Sequence, residues 1–593
     1  MRGYPTIMAS GRQGCGINLL FEILGKTLTR SGYWIHSGIQ FNSVIKPIDD
    51  GFNMYGVMQI SKERVLAPTD SIDILVAVDQ EALDLHHEKL KKGGALFCDM
   101  SLKNLYDLKE GGVKIFQSEI NKTDHSLRPK SAIKISLAST IYVGMVSEHI
   151  HCDAESKKIS ALYKEILGRK SPEILEANLK ALEAGRNMYR EALKQYEKDV
   201  SSPPIWIPSE AGERRMYIAG NEVMARAAIV AGCRVCIYYP ITPASDLAEN
   251  MAQEMKKYGG WVYQASDEME AANMAKAISA TGASVILPTS GPGLSRMVEA
   301  FGFTGLVETP GLVCVDVQRA GPATGMPTRT LQGDLPFVLS MGHDAYPRVI
   351  VAPGDLEECF NLTIQAFNLS RIWQLPVFIL SDLYLAQTKQ TNPAFDFSKI
   401  KLSGVARWES EPNENAIEVI PRYLNNGTGI KPIVFPGEGR ATYKVAGTEH
   451  DIYGVPSVDP ENRRMMMEGR MKKLEFIKHA MPPPEFFGSE DAEVMLITWG
   501  SPKGVVRQKA KDLIEKGKSV SHLHLSALWP LHPNTKKFLK KAKKAITIEQ
   551  NYGGDLAKLL RMEYCIPVSA CTDYSGLFLS GEMLDEILKE ENL

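Results

Sequence analysis

Residues 235–245 read VCIYYPITPAS, and the junction inside this stretch decides the fold. Val235–Tyr239 is a short apolar run of the kind found in parallel strands buried on both faces. Pro240 ends it, and Pro243 follows three residues later. Two prolines so close stiffen a loop and set its direction. Tyr239, Pro240, Ile241, Thr242 and Pro243 therefore leave the strand as a rigid turn. Thr242 can present its hydroxyl into the crevice at the strand's carboxyl end, where open α/β sheets bind ligands. A proline-rich turn with Ser245 or Asp246 capping the next helix accounts for the same residues without a ligand.

Three further stretches repeat this grammar. Trp261–Gln264 leads into Asp267-Glu268-Met269-Glu270-Ala271-Ala272, which opens a helix; acidic residues there also serve as dipole partners. Ser284–Pro288 leads into Thr289-Ser290-Gly291-Pro292-Gly293. Gly311–Val315 leads towards Arg319-Ala320-Gly321-Pro322-Ala323-Thr324-Gly325-Met326-Pro327-Thr328-Arg329. Strand patterns recur at Val349–Ala352 and Pro376–Leu380, with helical patterns between. Parallel strands point the same way, so the four loops should gather on one sheet edge. A doubly wound α/β domain is expected over 213–388.

Outward from it, the N-terminal residues 1–200 read as a second Rossmann-like domain with a helical linker. PTIMA at 5–9 looks like a buried strand, followed by a turn containing Gly11, Gly14 and Gly16. A helix then places Leu20, Phe21, Leu24 and Leu28 on one stripe. Ile72–Val78 and Gly94–Cys98 are further strand signals. The turn is GxxGxG, not GxGxxG, and Trp34-Ile35-His36-Ser37 lacks the carboxylate of a dinucleotide site. A phosphate-bearing ligand such as coenzyme A, or no ligand at all, suits the turn better. Residues 155–200 are charged and helical, with Leu162, Ile166, Leu175, Leu179 and Leu182 as packing positions. Ser201–Pro208 holds three prolines in six residues and marks a boundary. Residues 389–485 form an irregular connecting region with a helix near Arg463–His479. A third α/β unit is expected over 490–593, with strands Val494–Thr498, Val520–Leu525 and Ala545–Glu549.

The chain has 593 residues, 44% hydrophobic and 23% charged, with a formal net charge of -2. That balance suits a soluble protein of several domains and gives no electrostatic reason to expect nucleic acid or an anionic membrane as partner. No apolar run has bilayer-spanning length and no signal peptide opens the chain, so a cytoplasmic location is expected. Of nine cysteines, only Cys233 and Cys236 form a CxxC, and three residues apart on a strand they face opposite ways. No metal or cluster site is expected from them, nor from His522 and His524, which lack a third ligand.

The ordered set YPITP, DExEAA, TSGPG, RxGPxTGxPTR and Gly333-Asp334 resembles the α subunit of 2-oxoacid:ferredoxin oxidoreductases. The resemblance continues through Leu380-Ser381-Asp382, Glu449-His450-Asp451 with Tyr453-Gly454, Arg463–Leu474, Leu528-Trp529-Pro530 and Glu549-Gln550-Asn551-Tyr552-Gly553-Gly554. The N-terminal domain resembles the family's γ domain, fused ahead of α. The folds implied are a γ domain, a thiamine-diphosphate pyrimidine-type domain and a transketolase C-terminal-like domain. Two positions depart: Val44-Ile45-Lys46-Pro47-Ile48 stands where a basic residue and paired glycines are usual, and Asp555 where Gln is.

The resemblance implies CoA-dependent oxidative decarboxylation of a 2-oxo acid, or the reverse carboxylation, with electrons exchanged with ferredoxin. Glu268 would hydrogen-bond the aminopyrimidine of thiamine diphosphate, working best partly buried with a raised pKa. Glu270, two residues along the helix, faces elsewhere. Arg329 would hold the substrate carboxylate, with Arg319 the alternative, and Thr242 would bond near the reacting carbon. Tyr239, Pro240, Ile241, Pro243, Ser290 and Gly291 would line the cofactor, and Gly11, Gly14 and Gly16 the N-terminal turn. A β subunit would carry Mg2+, the diphosphate site and a [4Fe–4S] cluster, in a dimer of α–β heterodimers. 2-Oxoglutarate is the expected substrate, with pyruvate or a broader 2-oxo acid range as the alternative. A ferredoxin-independent transketolase-like enzyme and a non-catalytic Rossmann-like binding protein are the competing classes.

Overall fold

The computed structural model describes residues 5–41, 54–130, 136–150, 156–168, 171–196, 215–409, 417–438, 440–589 and 591. The chain divides into two compact units, Met1–Ile218 with Gln387–Ala394, and Ala219–Ala386 with Phe395–Leu593. The departing loop Val44–Ile48 and the boundary Ser201–Pro208 lie outside the described residues.

The first unit is built on an eight-stranded sheet. Its parallel half runs Lys114–Ser118, Leu90–Asp99, Ile72–Ala77 and Thr6–Gly11. The other half is antiparallel, through Met54–Ser61, Trp34–Gln40, Lys389–Pro393 and Arg215–Ile218. The Rossmann-like domain expected here thus carries an antiparallel half beside its parallel one. Met54–Ser61 shows why: its residues alternate between buried and half-buried, the pattern of a strand with one face in the core. The expected stripe Leu20, Phe21, Leu24 and Leu28 is buried in the core beside Leu162 and Leu182.

Among the described residues the second unit holds two large sheets and a two-stranded pair, Glu418–Val419 with Ala441–Thr442. The larger has the order Ala527–Trp529, Val349–Val351, Val377–Asp382, Leu312–Gln318, Val285–Thr289, Val235–Tyr238, Trp261–Gln264. All neighbours are parallel except the first pair. The smaller runs Glu485–Gly488, Val520–His524, Val494–Thr498, Lys544–Glu549, Ser569–Thr572, with only its first pair antiparallel. One core spans both, joining Leu287, Cys314 and Leu380 to Ile497, Trp499 and Leu523.

This division departs from the expected boundaries in two places. Lys389–Pro393, at the start of the stretch read as irregular, completes the sheet of the first unit. Ala527–Trp529, within the third unit as read, pairs with Val349–Val351 of the larger sheet. Both are pairings between distant residues, which local patterning does not encode.

Candidate active site

The four strands ahead of the ligand-competent loops are neighbours in the larger sheet and parallel. Their carboxyl ends therefore share one edge. The first loop is closed locally: Ser245 Oγ accepts from the Ile241 amide at 3.0 Å and donates to its carbonyl at 3.2 Å. The Thr242–Pro243 peptide is cis, and Asn221, almost wholly buried, donates to the Pro243 carbonyl at 2.9 Å. Thr242 and Tyr239 are half-buried and Pro240 is exposed.

A chain of contacts joins the loops. Arg319 Nη1 donates to the Thr242 carbonyl at 2.7 Å. Arg319 is 8% exposed, and its Nε is buried without a hydrogen-bond partner. Its charge acts on Asp334, the acidic residue of the Gly333-Asp334 pair. Asp334 packs against Gly291 so closely that a Cβ there would lie 2.7 Å from its carboxylate oxygens. Two residues on, a Cβ at Gly293 would lie 3.0 Å from Glu268 Cγ. Gly291 is hemmed in by the Asp334 carboxylate, and Gly293 by the Thr289 hydroxyl, 2.4 Å from where a Cβ would stand, as well as by Glu268. Ser290, between the strand and Gly291, is buried with its hydroxyl unpartnered.

Glu268 is the first residue of the helix Glu268–Ala280 and is 6% exposed. Its Oε2 accepts from Arg296 Nη1 at 2.6 Å. Among the described residues, none donates to Oε1. Glu270 turns the other way, accepting from the Ser266 amide at 2.6 Å and the Ser266 hydroxyl at 2.5 Å. Asp267 Oδ1 caps the helix by accepting from the Glu270 amide at 2.8 Å. The carboxylate inside and the carboxylate outside are thus separated by helix geometry, as expected from their spacing.

Sequence reading missed two residues here. Asp316 lies on Leu312–Gln318, a strand buried at every position, and neither of its oxygens finds a donor. Burial raises its pKa far above the ordinary carboxylate range, and the neighbouring Asp334 adds to the shift. Asp334 is pushed up to about 6 by burial, against the opposing pull of Asp316 and Arg319. The two acids act on one another's titration, and Asp316 holds its proton to higher pH than Asp334. The available signal was a lone acid inside the apolar run LVCVDVQ. Arg296, the other omission, carries no sequence signal; it sits at the end of a six-residue helix, Gly291–Arg296.

Arg329 is half-buried at the foot of the loop, whose ends meet through Ala320 N–H to Arg329 O at 3.0 Å. The structure brings Arg319 to Thr242; Arg329 instead packs its Cβ beside Gly576. Just beyond it, Gln332 Oε1 accepts from the Gln550 amide at 3.0 Å, and Asn551 Nδ2 donates to the Gln332 carbonyl at 3.2 Å. Glu549, 1% exposed, fixes that second loop by accepting from the amides of Leu556 and Ala557. The C-terminal sheet therefore buttresses the loop that follows Arg329.

In the first unit, Gly11 ends its strand, and Gly14 and Gly16 have φ of 92° and 91° ahead of the helix Ile17–Arg30. The Arg12 amide donates to Asp79 at 3.0 Å.

Comparison with known proteins fixes the assignment. Residues 226–469 match the family model for the thiamine-diphosphate-binding part of pyruvate flavodoxin/ferredoxin oxidoreductase, and residues 6–188 match the pyruvate ferredoxin/flavodoxin oxidoreductase model. The 2-oxoacid:ferredoxin oxidoreductase 1 subunit alpha of Sulfurisphaera tokodaii is 30% identical, with 93% of this chain and 92% of that protein aligned. The chain belongs to the 2-oxoacid:ferredoxin oxidoreductase family, as an alpha subunit. Other members of the family are similar along most of its length. The Mycobacterium tuberculosis 2-oxoglutarate oxidoreductase subunit KorA is 29% identical, over 89% of this chain and 82% of that one. A solved 2-oxoglutarate:ferredoxin oxidoreductase from Magnetococcus marinus, with 2-oxoglutarate, coenzyme A and succinyl-CoA bound, superposes with a TM-score of 0.87. It is 28% identical and covers all of both chains. The protein is thus a subunit of an oxidoreductase with a thiamine-diphosphate-binding domain. No helix among the described residues is long and apolar enough to cross a membrane.

Proposed function

We propose that this α subunit joins a β subunit to catalyse CoA-dependent oxidative decarboxylation of 2-oxoglutarate, or its reversal, with ferredoxin as electron partner. The observation that carries the reading is the series of neighbours from Thr242, bonded to Arg319, through Arg319's charge on Asp334, to Gly291 against Asp334 and Gly293 against Glu268. It draws together loops scattered over more than ninety residues. The site fits thiamine diphosphate in one testable respect: a buried carboxylate with one acceptor oxygen open, beside a glycine floor. When bound, that cofactor supplies the electron sink for cleaving the bond to the substrate carboxylate.

This chain's residues have the following tasks. Glu268 faces the aminopyrimidine nitrogen and shares a proton with it. Tyr239, Pro240, Ile241, Pro243, Ser290 and Gly291 shape the wall around it. Thr242 bonds the substrate beside the reacting carbon. Arg329 holds the substrate carboxylate, with Arg319, already tied to Thr242, as the alternative. Gly11, Gly14 and Gly16 form a turn whose amides suit a phosphate of coenzyme A. The β subunit supplies Mg2+ and the [4Fe–4S] cluster, and the assembly is a dimer of α–β pairs in the cytoplasm. The Magnetococcus protein supports 2-oxoglutarate, whereas the Sulfurisphaera relative, named for 2-oxoacids, supports a range that includes pyruvate.

The test is anaerobic co-expression with the β subunit and assay of CoA-dependent ferredoxin reduction with several 2-oxo acids. Turnover should be fastest with 2-oxoglutarate, and Glu268→Gln should lower it at least ~100-fold while the complex still assembles. Near-normal turnover in that variant would remove Glu268 from the mechanism. Absence of CoA-dependent turnover on every 2-oxo acid would defeat the reading.

A further inference from the structure

Arg296 makes the only ion pair of Glu268 among the described residues, at 2.6 Å. The two side chains differ in setting: that of Glu268 is 8% exposed and that of Arg296 is 47% exposed. A second carboxylate lies in reach of the same guanidinium. Arg296 Nη2 is 3.4 Å from Asp267 Oδ2. Asp267 uses its other oxygen to cap the helix, so Oδ2 is presented outward at a fixed place.

Resting on the thiamine diphosphate reading above, we propose that Arg296 is a switchable brake on Glu268. Bridging both carboxylates here, it gives up Glu268 and closes on Asp267 when the cofactor's pyrimidine engages. An ionised carboxylate and an unprotonated ring nitrogen are both acceptors, so they meet only if a proton comes between them. A guanidinium on Oε2 stabilises the ionised carboxylate and opposes that proton. A permanent contact would therefore work against the group's task, and Asp267 gives the displaced cation a perch at the cost of a small rotation. Exposure of Arg296 allows the movement without disturbing the core.

Other charges do not substitute for it. The titratable groups on elements packed against the Glu268 helix are Glu299, Tyr238 and Asp316, with the thiols of Cys236 and Cys314. On the helix itself, Glu270 bonds Ser266 and Lys276 lies over the Phe303 ring. None of these is paired with Glu268.

The experiment is calorimetric titration of thiamine diphosphate with Mg2+ into the cofactor-stripped α–β complex between pH 6 and 9. In the wild type, affinity should weaken as pH rises, because binding takes up a proton. Arg296→Met should bind about tenfold more tightly at the alkaline end, with the fall in affinity displaced upward by about one pH unit. Asp267→Asn should do the reverse, by stranding Arg296 on Glu268, and the double variant should resemble Arg296→Met. Glu268→Gln, which cannot take up the proton, should bind with little pH dependence. Affinity in Arg296→Met that is unchanged or weaker at every pH overturns the brake while leaving the thiamine reading intact. A wild-type complex that binds no thiamine diphosphate overturns both. Thermal melting of Arg296→Met should match the wild type, as its exposure requires.

Discussion

Two buried carboxylate centres of the second unit differ in what surrounds them. Glu308 lies in the turn after the helix Val298–Val307, with no exposed surface. Lys431 donates to one oxygen at 2.6 Å, and Lys473 meets the other at 2.5 Å. Arg422 donates to its backbone carbonyl at 3.0 Å. Burial alone would raise this group's pKa, but the three cations together hold it far below the ordinary range. Asp316 and Asp334 Oδ2 are also buried, yet the foremost titratable influence on each acid is the other. Their pKa values move up. Burial is therefore common to both centres, and the counter-charges decide the sign. The first is a structural clasp between the helix turn and the region around 431 and 473. The second leaves an acid pair opposed only in part, by Arg319, at the edge where the four loops meet, which is where perturbed acids are most often functional.

The largest effect should come from opening the clasp. Glu308→Gln leaves Lys431, Lys473 and Arg422 buried without their anion, and should cost about 3–5 kcal/mol in denaturant unfolding. A loss below about 1 kcal/mol would mean that the cations reach water more easily than their burial implies. Removing one cation should cost less. In Lys473→Met, Glu308 keeps Lys431, and the excess positive charge falls. Burial has already pushed Lys473 down to about 8, against the pull of Glu308, so its charge is weakly held. A loss of about 1–2 kcal/mol is expected in the same measurement. Parity with Glu308→Gln would show that both lysines act as one indivisible unit.

The difference between these centres was only partly legible in the sequence. That Glu268 and Glu270 face different ways followed from helix spacing, the choice of Glu268 from the family resemblance, and the four loops on one edge from parallel strands. Local patterns of that kind carry their own geometry. The Glu308 clasp joins residues 308, 431 and 473 across more than 120 positions, and nothing local marks it. Asp316 gave a faint signal as the one acid in an apolar strand, but its partner Asp334 became visible only through tertiary packing. Lys389–Pro393 was missed for the same reason. Its partners, Trp34–Gln40 and Arg215–Ile218, are distant in the chain, and a five-residue strand of mixed polarity looks like loop until it pairs. Arg296 was invisible because an exposed arginine at a helix end has an ordinary explanation in the helix dipole.

The smallest effect, and the most diagnostic, concerns the acid pair. In Asp334→Asn the amide does not titrate, so Asp316 loses its acidic neighbour. Stability near pH 7 should change by no more than about 1 kcal/mol. The pH dependence should change more clearly. A carboxyl whose folded pKa is raised keeps its proton longer in the folded state than in the unfolded one. The folded state then binds more protons between the two values, and stability falls as pH rises through that window. For Asp334 the window runs from 3.8 to about 6. Denaturation midpoints measured across it should show the wild type losing stability relative to Asp334→Asn, with little further divergence above pH 7. Parallel curves for the two proteins would mean that Asp316 and Asp334 do not act on one another's titration. The contrast with Glu308 would then rest on that residue's three cations alone.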